Sequence, residues 1–351
     1  MSGRRGDAHR AVRWLWTSER LDARLVRLAL LPASAAYGVV MRVRASAYAS
    51  GVFASHTLPI PSISVGNLTV GGSGKTPIAI WIARYLVSKG ITPGVLLRGY
   101  AGGDEAQVHA RAVPGGVVVV DPDRRAGAEK AKAQGAQVVV LDDAFQRLDV
   151  RRDLNICVVS TETTRAVPWS LPAGPWREGM GAIERADAVV VTRKRAPAEV
   201  AQALAAELAG RVKGPVAVAH LGLSGLEGLV SGTKHPASLL QGKRVVAAAA
   251  IGDPDSFVGQ VKSAGAAVQV ATWRDHHQYG PEDLAWLAKA SRKSDHLVIT
   301  EKDAVKLRDR WPAGVAEPLV AQLDLAWEGG GEGFVAALDA VVALTRSQLT
   351  R

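Results

Sequence analysis

The chain has 351 residues, 48% of them hydrophobic, which is enough for one or two domains with a sizeable core. A net charge of +10 points to an acidic partner such as nucleotide phosphate, anionic lipid or nucleic acid. The single cysteine, Cys157, excludes an internal disulfide and a cysteine-based metal centre, and its apolar surroundings mark it as a buried structural thiol.

The charge is uneven. Residues 1–50 hold nine Arg against Asp7, Glu19 and Asp22, and so carry +6 of the total. Residues 1–20 read as a frayed, Arg-rich end and 21–56 as helix. Arg20, Arg24 and Arg27 share one face at helical spacing, and Leu21, Leu25, Val26, Leu28 and Leu30 spread over the others. The most apolar stretch, 28–41, is short and contains Pro32 and Gly38, so a standard transmembrane helix is not expected. Its flanks, ending in Arg42 and Arg44, lack a signal-peptide layout, which makes a cytoplasmic location the expectation.

After Pro59 and Pro61 short β-branched runs alternate with Ala-rich helical stretches. The runs lie at 63–65, 94–97, 117–120, 138–141, 156–159, 188–191, 216–219, 245–250, 268–271 and 297–300. Continuous rather than alternating apolar runs indicate strands buried on both faces, and their alternation with helices indicates a doubly wound, mainly parallel α/β sheet. The charged, Pro-containing stretch 193–197 suggests a boundary. The expected organisation is a basic amphipathic N-terminal helical segment (1–56), a P-loop core (57–195) and a second, smaller α/β domain (196–351).

Gly71-Gly72-Ser73-Gly74-Lys75-Thr76 follows the run at 63–65 and precedes a helical stretch. Glycines let backbone N–H groups turn inward around phosphate oxygens, Lys75 reaches the β/γ-phosphates, and the Thr76 hydroxyl ligates Mg²⁺. The usual first glycine of such a loop is replaced by Thr69. Val138-Val139-Val140-Leu141-Asp142-Asp143 places paired carboxylates at the end of an apolar strand. Asp142 or Asp143 there holds Mg²⁺ beside the P-loop threonine, the competing reading being a helix N-cap.

Three further segments carry candidate chemistry. In Arg98-Gly99-Tyr100-Ala101-Gly102-Gly103-Asp104-Glu105, Asp104 suits the acceptance of a hydroxyl proton and Arg98 the pairing of phosphate. In Asp275-His276-His277-Gln278-Tyr279 the adjacent histidines point to different sides, so one His poised against a carboxylate is favoured over a two-His metal site. In Leu171-Pro172-Ala173-Gly174-Pro175-Trp176-Arg177-Glu178 a rigid loop presents Arg177, either to stabilise a phosphoryl group or for structure alone. The segment from Thr300 to Lys306 reads as a strand end running into a helix capped by Thr300 or Asp303.

These segments, together with Ala250-Ile251-Gly252-Asp253-Pro254 and Asp142-Asp143-Ala144-Phe145-Gln146, resemble the tetraacyldisaccharide 4'-kinases, in that family's order and over roughly residues 20–310. The missing P-loop glycine is shared with the family. Two departures stand out: Ala144 where the family usually has Gly, and only Ala101 and Gly102 between Arg-Gly-Tyr and Gly-Asp-Glu. The resemblance implies a peripheral enzyme on the cytoplasmic face of the inner membrane. Its substrates would be ATP, with Mg²⁺, and a tetraacyldisaccharide 1-phosphate, a lipid A precursor. It further implies Gln146 close to the metal, Asp104 as acceptor of the sugar 4'-hydroxyl proton, His276 as its partner and Arg177 on the transferring phosphoryl. The Arg-rich N-terminus would meet an anionic membrane surface. A P-loop NTPase switch or metallochaperone-like module, hydrolysing nucleotide without transfer, is the alternative. Nucleic acid is not an expected partner, since no recognisable binding motif accompanies the basic charge.

Overall fold

The computed structural model describes residue 12 and residues 14–99, 103–164 and 167–350. Among the described residues there are twelve strands: β1 (Ser62–Asn67), β2 (Pro93–Leu97), β3 (Val117–Val120), β4 (Val138–Asp142), β5 (Leu154–Ser160), β6 (Ala188–Arg193), β7 (Val216–Gly228), β8 (Lys234–Pro236), β9 (Arg244–Ala249), β10 (Ala267–Thr272), β11 (His296–Ile299) and β12 (Leu319–Gly329). All ten runs read as strands are strands. β8 and β12 were not anticipated. β12 alternates apolar and polar residues over much of its length and so does not register as a continuous apolar run.

The chain forms two compact units. The first comprises residues 1–99, 113–219 and 327–351, and the second residues 100–112 and 220–326. This differs from a single cut near 195. The stretch 193–197 lies inside the first unit, where Arg193 forms an ion pair with Glu328. The C-terminal helix Gly331–Leu349 belongs to the same unit because aromatic packing ties it there. The Trp81 ring packs against that of Phe334 with centroids 6.1 Å apart, and the Tyr85 hydroxyl donates to Asp339 at 2.6 Å.

In the first unit the strands run parallel in the order β6-β5-β1-β4-β2-β3. Every residue of β1, β2, β4 and β5 is buried, as unbroken β-branched runs between two helical layers require. This is the P-loop NTPase-like architecture. β1 is flanked by β4 on one side and β5 on the other, so the chain leaving β1 emerges at a point where strand order reverses, and ligands bind at such points in these sheets. The second unit has parallel strands in the order β10-β9-β11-β12, with a short antiparallel β7–β8 hairpin. Its cores lie on the two faces of β9 and β11, around Phe257 and Val261 on one side and Leu287 and Leu307 on the other.

The expected N-terminal helix is present as Leu21–Ala49, 29 residues long. Its orientation on the first unit was not expected. Small and polar residues face inward: Ala23 and Ser34 are buried, and the Ser34 hydroxyl donates to the Ser170 carbonyl at 2.8 Å and accepts from the Ala173 N–H at 3.0 Å. Leu21, Leu25, Leu28, Val39, Val40 and Val43 point outward and are exposed. Arg27 does not join a solvated arginine face. It is 8% exposed and donates to the carbonyls of Leu15 and Ser18. By length and composition alone the helix is long and apolar enough to cross a membrane.

Candidate active site

β1 delivers the chain into the loop 68–74, and the helix Lys75–Ser88 begins directly after it. Gly71 and Gly74 adopt φ values of 122° and 88°, a region closed to most side chains, so glycine at both is a backbone requirement. The loop is held from two strands. The Asn67 side-chain amide donates to the Thr69 carbonyl at 2.7 Å and to the Ser73 hydroxyl at 2.8 Å. From the end of β6, the Thr192 hydroxyl donates to the Ser73 carbonyl at 2.8 Å and Lys194 Nζ to the Gly72 carbonyl at 2.7 Å.

Thr69, in place of the usual glycine, has a structural reason. Residues 68–70 run alongside 175–177: Thr69 bridges to Trp176, the Val70 N–H donates to the Pro175 carbonyl at 2.8 Å, and the Arg177 N–H donates to the Leu68 carbonyl at 2.8 Å. An extended backbone favours a β-branched residue over glycine. The same pairing brings the Pro-Trp-Arg segment to the P-loop and sets Arg177 beside it.

The paired carboxylates at the end of β4 diverge. The Thr76 hydroxyl donates to Asp142 Oδ2 at 3.2 Å. Asp143 has a φ of 53°, and this turn sends its side chain to Lys75 Nζ at 3.4 Å and to Arg177 Nη1 at 2.8 Å. Burial pushes the Asp143 carboxyl upward, but the charges of Lys75 and Arg177 outweigh it and hold the group below the usual carboxylate range. Gln146 donates its amide to the Asn67 carbonyl at 2.7 Å, and its oxygen accepts from Arg177 at 3.4 Å. Behind them Arg124, 1% exposed, donates to the Asp142 carbonyl at 3.1 Å and braces the strand end.

Among the described residues no group of three or more His, Cys, Asp or Glu gathers to hold a metal. The donors present are the Thr76 hydroxyl and the Asp142 carboxylate, hard oxygens beside a phosphate-cradling loop. That set fits Mg²⁺, which takes few protein ligands and completes its shell with phosphate and water. Asp143 is engaged as counter-ion to Lys75 and Arg177.

The second unit carries its own polar cluster. Asp104 opens the helix Asp104–Ala112, and its side chain is 4% exposed. His276 Nδ1 lies 3.1 Å and 3.2 Å from the two Asp104 oxygens, across 172 positions of sequence. His276 has a φ of 58°, so the loop turns sharply there. His277 goes to a different carboxylate, with Nε2 2.9 Å from Asp283 Oδ2. Anchoring this loop is Asp303, fully buried, which accepts from the Tyr279 hydroxyl at 2.8 Å, the Thr300 hydroxyl at 2.6 Å and the Ala250 N–H at 3.1 Å. Thr300, accepting from the Asp303 N–H, caps the helix Glu301–Leu307.

Within the first unit, then, Lys75, Thr76, Asp142, Asp143, Gln146 and Arg177 gather around Gly71-Gly72-Ser73-Gly74. Within the second, Asp104 and His276 pair. Arg98 is exposed at the end of β2, and the adjoining Tyr100, Ala101 and Gly102 lie outside the described residues. Ala144, the first of the two departures from the expected family pattern, is buried at 1% exposure in the core beside β4. Sequence reasoning gave no role to Lys306, whose Nζ lies 3.1 Å from Asp104 Oδ2, or to Lys302, 2.9 Å from Glu105. A signal was available: two lysines at i and i+4 share one helix face and match the adjacent acids Asp104 and Glu105.

A family model described as tetraacyldisaccharide-1-P 4'-kinase matches residues 26–106 and 101–343. The chain is 38% identical over 313 residues to the tetraacyldisaccharide 4'-kinase of Geobacter metallireducens, covering 81% of this chain and 89% of that protein. It is 34% identical over 343 residues to that of Aromatoleum aromaticum, covering 88% and 96%. The crystal structure of LpxK from Aquifex aeolicus in complex with ATP superposes with a TM-score of 0.68 at 26% identity, covering 91% of this chain and 99% of that one.

Proposed function

Because this chain belongs to the tetraacyldisaccharide-1-P 4'-kinase family, it is an ATP-dependent phosphotransferase, and we propose that it moves the γ-phosphate of ATP onto the 4'-hydroxyl of a tetraacylated glucosamine disaccharide 1-phosphate in lipid A biosynthesis. The observation that carries the reading is the P-loop whose Lys75 and Thr76 meet Asp143 and Asp142. Backbone N–H groups of residues 71–76 and Lys75 spread the phosphate charge, and Arg177 supplies a second cation beside them. Thr76 and Asp142 hold Mg²⁺, which neutralises charge on the transferring phosphoryl when bound. In the second unit the Asp104–His276 pair takes the hydroxyl proton.

Incubation with γ-labelled ATP, Mg²⁺ and the detergent-dispersed lipid precursor tests this. Label is expected on the lipid. Label released only to water would replace this reading with the nucleotide-hydrolysing switch.

The helix Leu21–Ala49 supports a membrane-facing surface at the cytoplasmic side of the inner membrane. Leu21, Leu25, Val26, Leu28, Val39, Val40 and Val43 are exposed while its buried residues are Ala23, Arg27 and Ser34, unlike a helix that packs its large apolar side chains on its own protein. The basic charge of residues 1–50 adds attraction to anionic headgroups. Leu25→Glu with Val39→Glu is expected to lower co-sedimentation with phosphatidylglycerol vesicles at least about tenfold, since each removes an apolar side chain worth about 1.5–3 kcal/mol when buried. Wild-type binding is expected to weaken as salt rises. Unchanged sedimentation of the double variant would move the membrane contact to another surface.

A further inference from the structure

The helix Pro281–Lys293 packs Leu287, Ala288 and Ser291 inward on the second unit. Its outer side carries Trp286, 42% exposed, and the cations Lys289, Arg292 and Lys293, all exposed. Trp286, Lys289 and Lys293 recur at i, i+3 and i+7 and so share one stripe. None of the three cations has a side-chain partner among the described residues. The helix's two acids sit in its first turn, and one of them, Asp283, is taken up by Trp273, His277 and the Gly280 N–H. Cations in the second half complement the helix dipole, but the dipole gives no reason for an indole left in water at mid-helix.

The opposite face of the same sheet is different. There Val245, Ala247 and Ala249 of β9 pack on Phe257, Val258 and Val261 of the helix Pro254–Ser263, while Val246 and Ala248 pack on the side of Leu287. The helix Pro254–Ser263 carries one acid, Asp255, and one base, Lys262, and its aromatic residue, Phe257, is buried. The two helices thus differ in both charge and aromatic exposure.

Trp286 is also tied to the loop that carries His276. Its ring stands edge-on to that of Trp273 with centroids 5.8 Å apart, and Trp273 stacks on His277 at 6.1 Å. An indole with one side on an aromatic cluster and the other in water, beside unpaired lysines, suits a bilayer interface. The ring enters the headgroup layer and the ammonium groups meet lipid phosphates. Resting on the reading of this chain as a kinase of a lipid-borne sugar hydroxyl, we infer that the face of Trp286, Lys289 and Lys293 is a membrane contact of the second unit, separate from the helix Leu21–Ala49, and that it docks on anionic phospholipid. Docking there holds the loop 273–279 at the lipid surface that presents the acceptor.

Cys157 is the only cysteine and is buried, so a cysteine introduced at the surface is the one that takes a thiol-reactive fluorophore. The test uses the full chain with an environment-sensitive fluorophore on Ala285→Cys, beside Trp286, and as control on Ser263→Cys, at the end of the helix Pro254–Ser263. Phosphatidylglycerol vesicles are expected to blue-shift and brighten the probe at 285 and to leave the probe at 263 unchanged. Phosphatidylcholine vesicles should move neither, and the response at 285 should fade as salt rises. Lys289→Gln with Lys293→Gln is expected to raise KM for precursor presented in phosphatidylglycerol vesicles on the order of tenfold, since each cation near an anionic surface contributes about fivefold. With detergent-dispersed precursor the same variant should keep kcat within about twofold, because neither lysine takes part in the chemistry. A silent probe at 285 on a chain that sediments with the vesicles would overturn the proposal and leave this face to a protein partner. Equal responses at 285 and 263, or an unchanged vesicle KM in the double variant, would overturn it as well. Failure of the underlying kinase reading looks different: no label reaches the lipid from the wild type, whatever the probes report.

Discussion

Lys75→Ala is expected to abolish phosphoryl transfer while leaving the molecule folded. Lys75 is 13% exposed, sits at the first position of the helix that follows the P-loop, and reaches Asp143 at 3.4 Å. Phosphoryl transfer depends mainly on positioning and on neutralising the charge spread over the transferring oxygens. Removing one preorganised electrostatic contact of that kind costs on the order of 10²–10³ in rate, and here the lost group carries a full charge. The structural cost is small by comparison. Asp143 keeps Arg177 at 2.8 Å, and the loop keeps its braces from Asn67, Thr192 and Lys194. A partly exposed ion pair contributes about 1 kcal/mol or less, so thermal unfolding should shift by a few degrees at most. Turnover near the wild-type rate in a folded Lys75→Ala protein would remove the P-loop assignment altogether.

The nucleotide half of the chemistry was legible because it is local. A strand, a glycine loop with Gly-Lys-Thr and a helix occupy one continuous stretch, and the carboxylates end an unbroken apolar run. What the run could not show is that the two carboxylates part company. That follows from the backbone turn at Asp143, whose positive φ sends its side chain toward Lys75 and Arg177 while Asp142 stays with Thr76. The place of Arg177 depends on the pairing of 68–70 with 175–177, which also explains Thr69. A motif comparison records that threonine only as a departure from the usual loop.

The second unit was harder to read for the same physical reason. Asp104, His276 and Lys306 come from three separate segments, and only the His276 side chain, 28% exposed, faces outward while those of Asp104 and Lys306 are buried. Neither spacing nor composition carries depth. The outward apolar face of the helix Leu21–Ala49 belongs with these cases. Helical periodicity separates its faces, but which face meets the protein is fixed by Ser34 and its two partners near Ser170.

Asp104→Ala and His276→Ala are each expected to lose on the order of 10²–10⁴ in kcat, and the double variant to lose no more than about tenfold beyond the worse single. The two side chains make one hydrogen-bonded unit at 3.1 Å, and groups that act as a unit are strongly non-additive. Without Asp104 the imidazole loses its orientation and the anion that steadies its charged form. Without His276 the carboxylate keeps Lys306 as its partner at 3.1 Å and remains a buried ion pair. KM for ATP should change little, because neither residue belongs to the unit that carries the P-loop. Glu105 and His277 supply the controls, since each is chemically like its neighbour yet bonded elsewhere. Glu105 pairs with Lys302 at 2.9 Å and His277 with Asp283 at 2.9 Å. Their Ala variants should retain kcat within about tenfold, as expected for groups outside the proton path. Equal damage at Glu105 or His277 would show that the assignment is one residue out of register. Losses at Asp104 and His276 that simply multiply would mean that the two act separately, and the coupled pair would have to be given up.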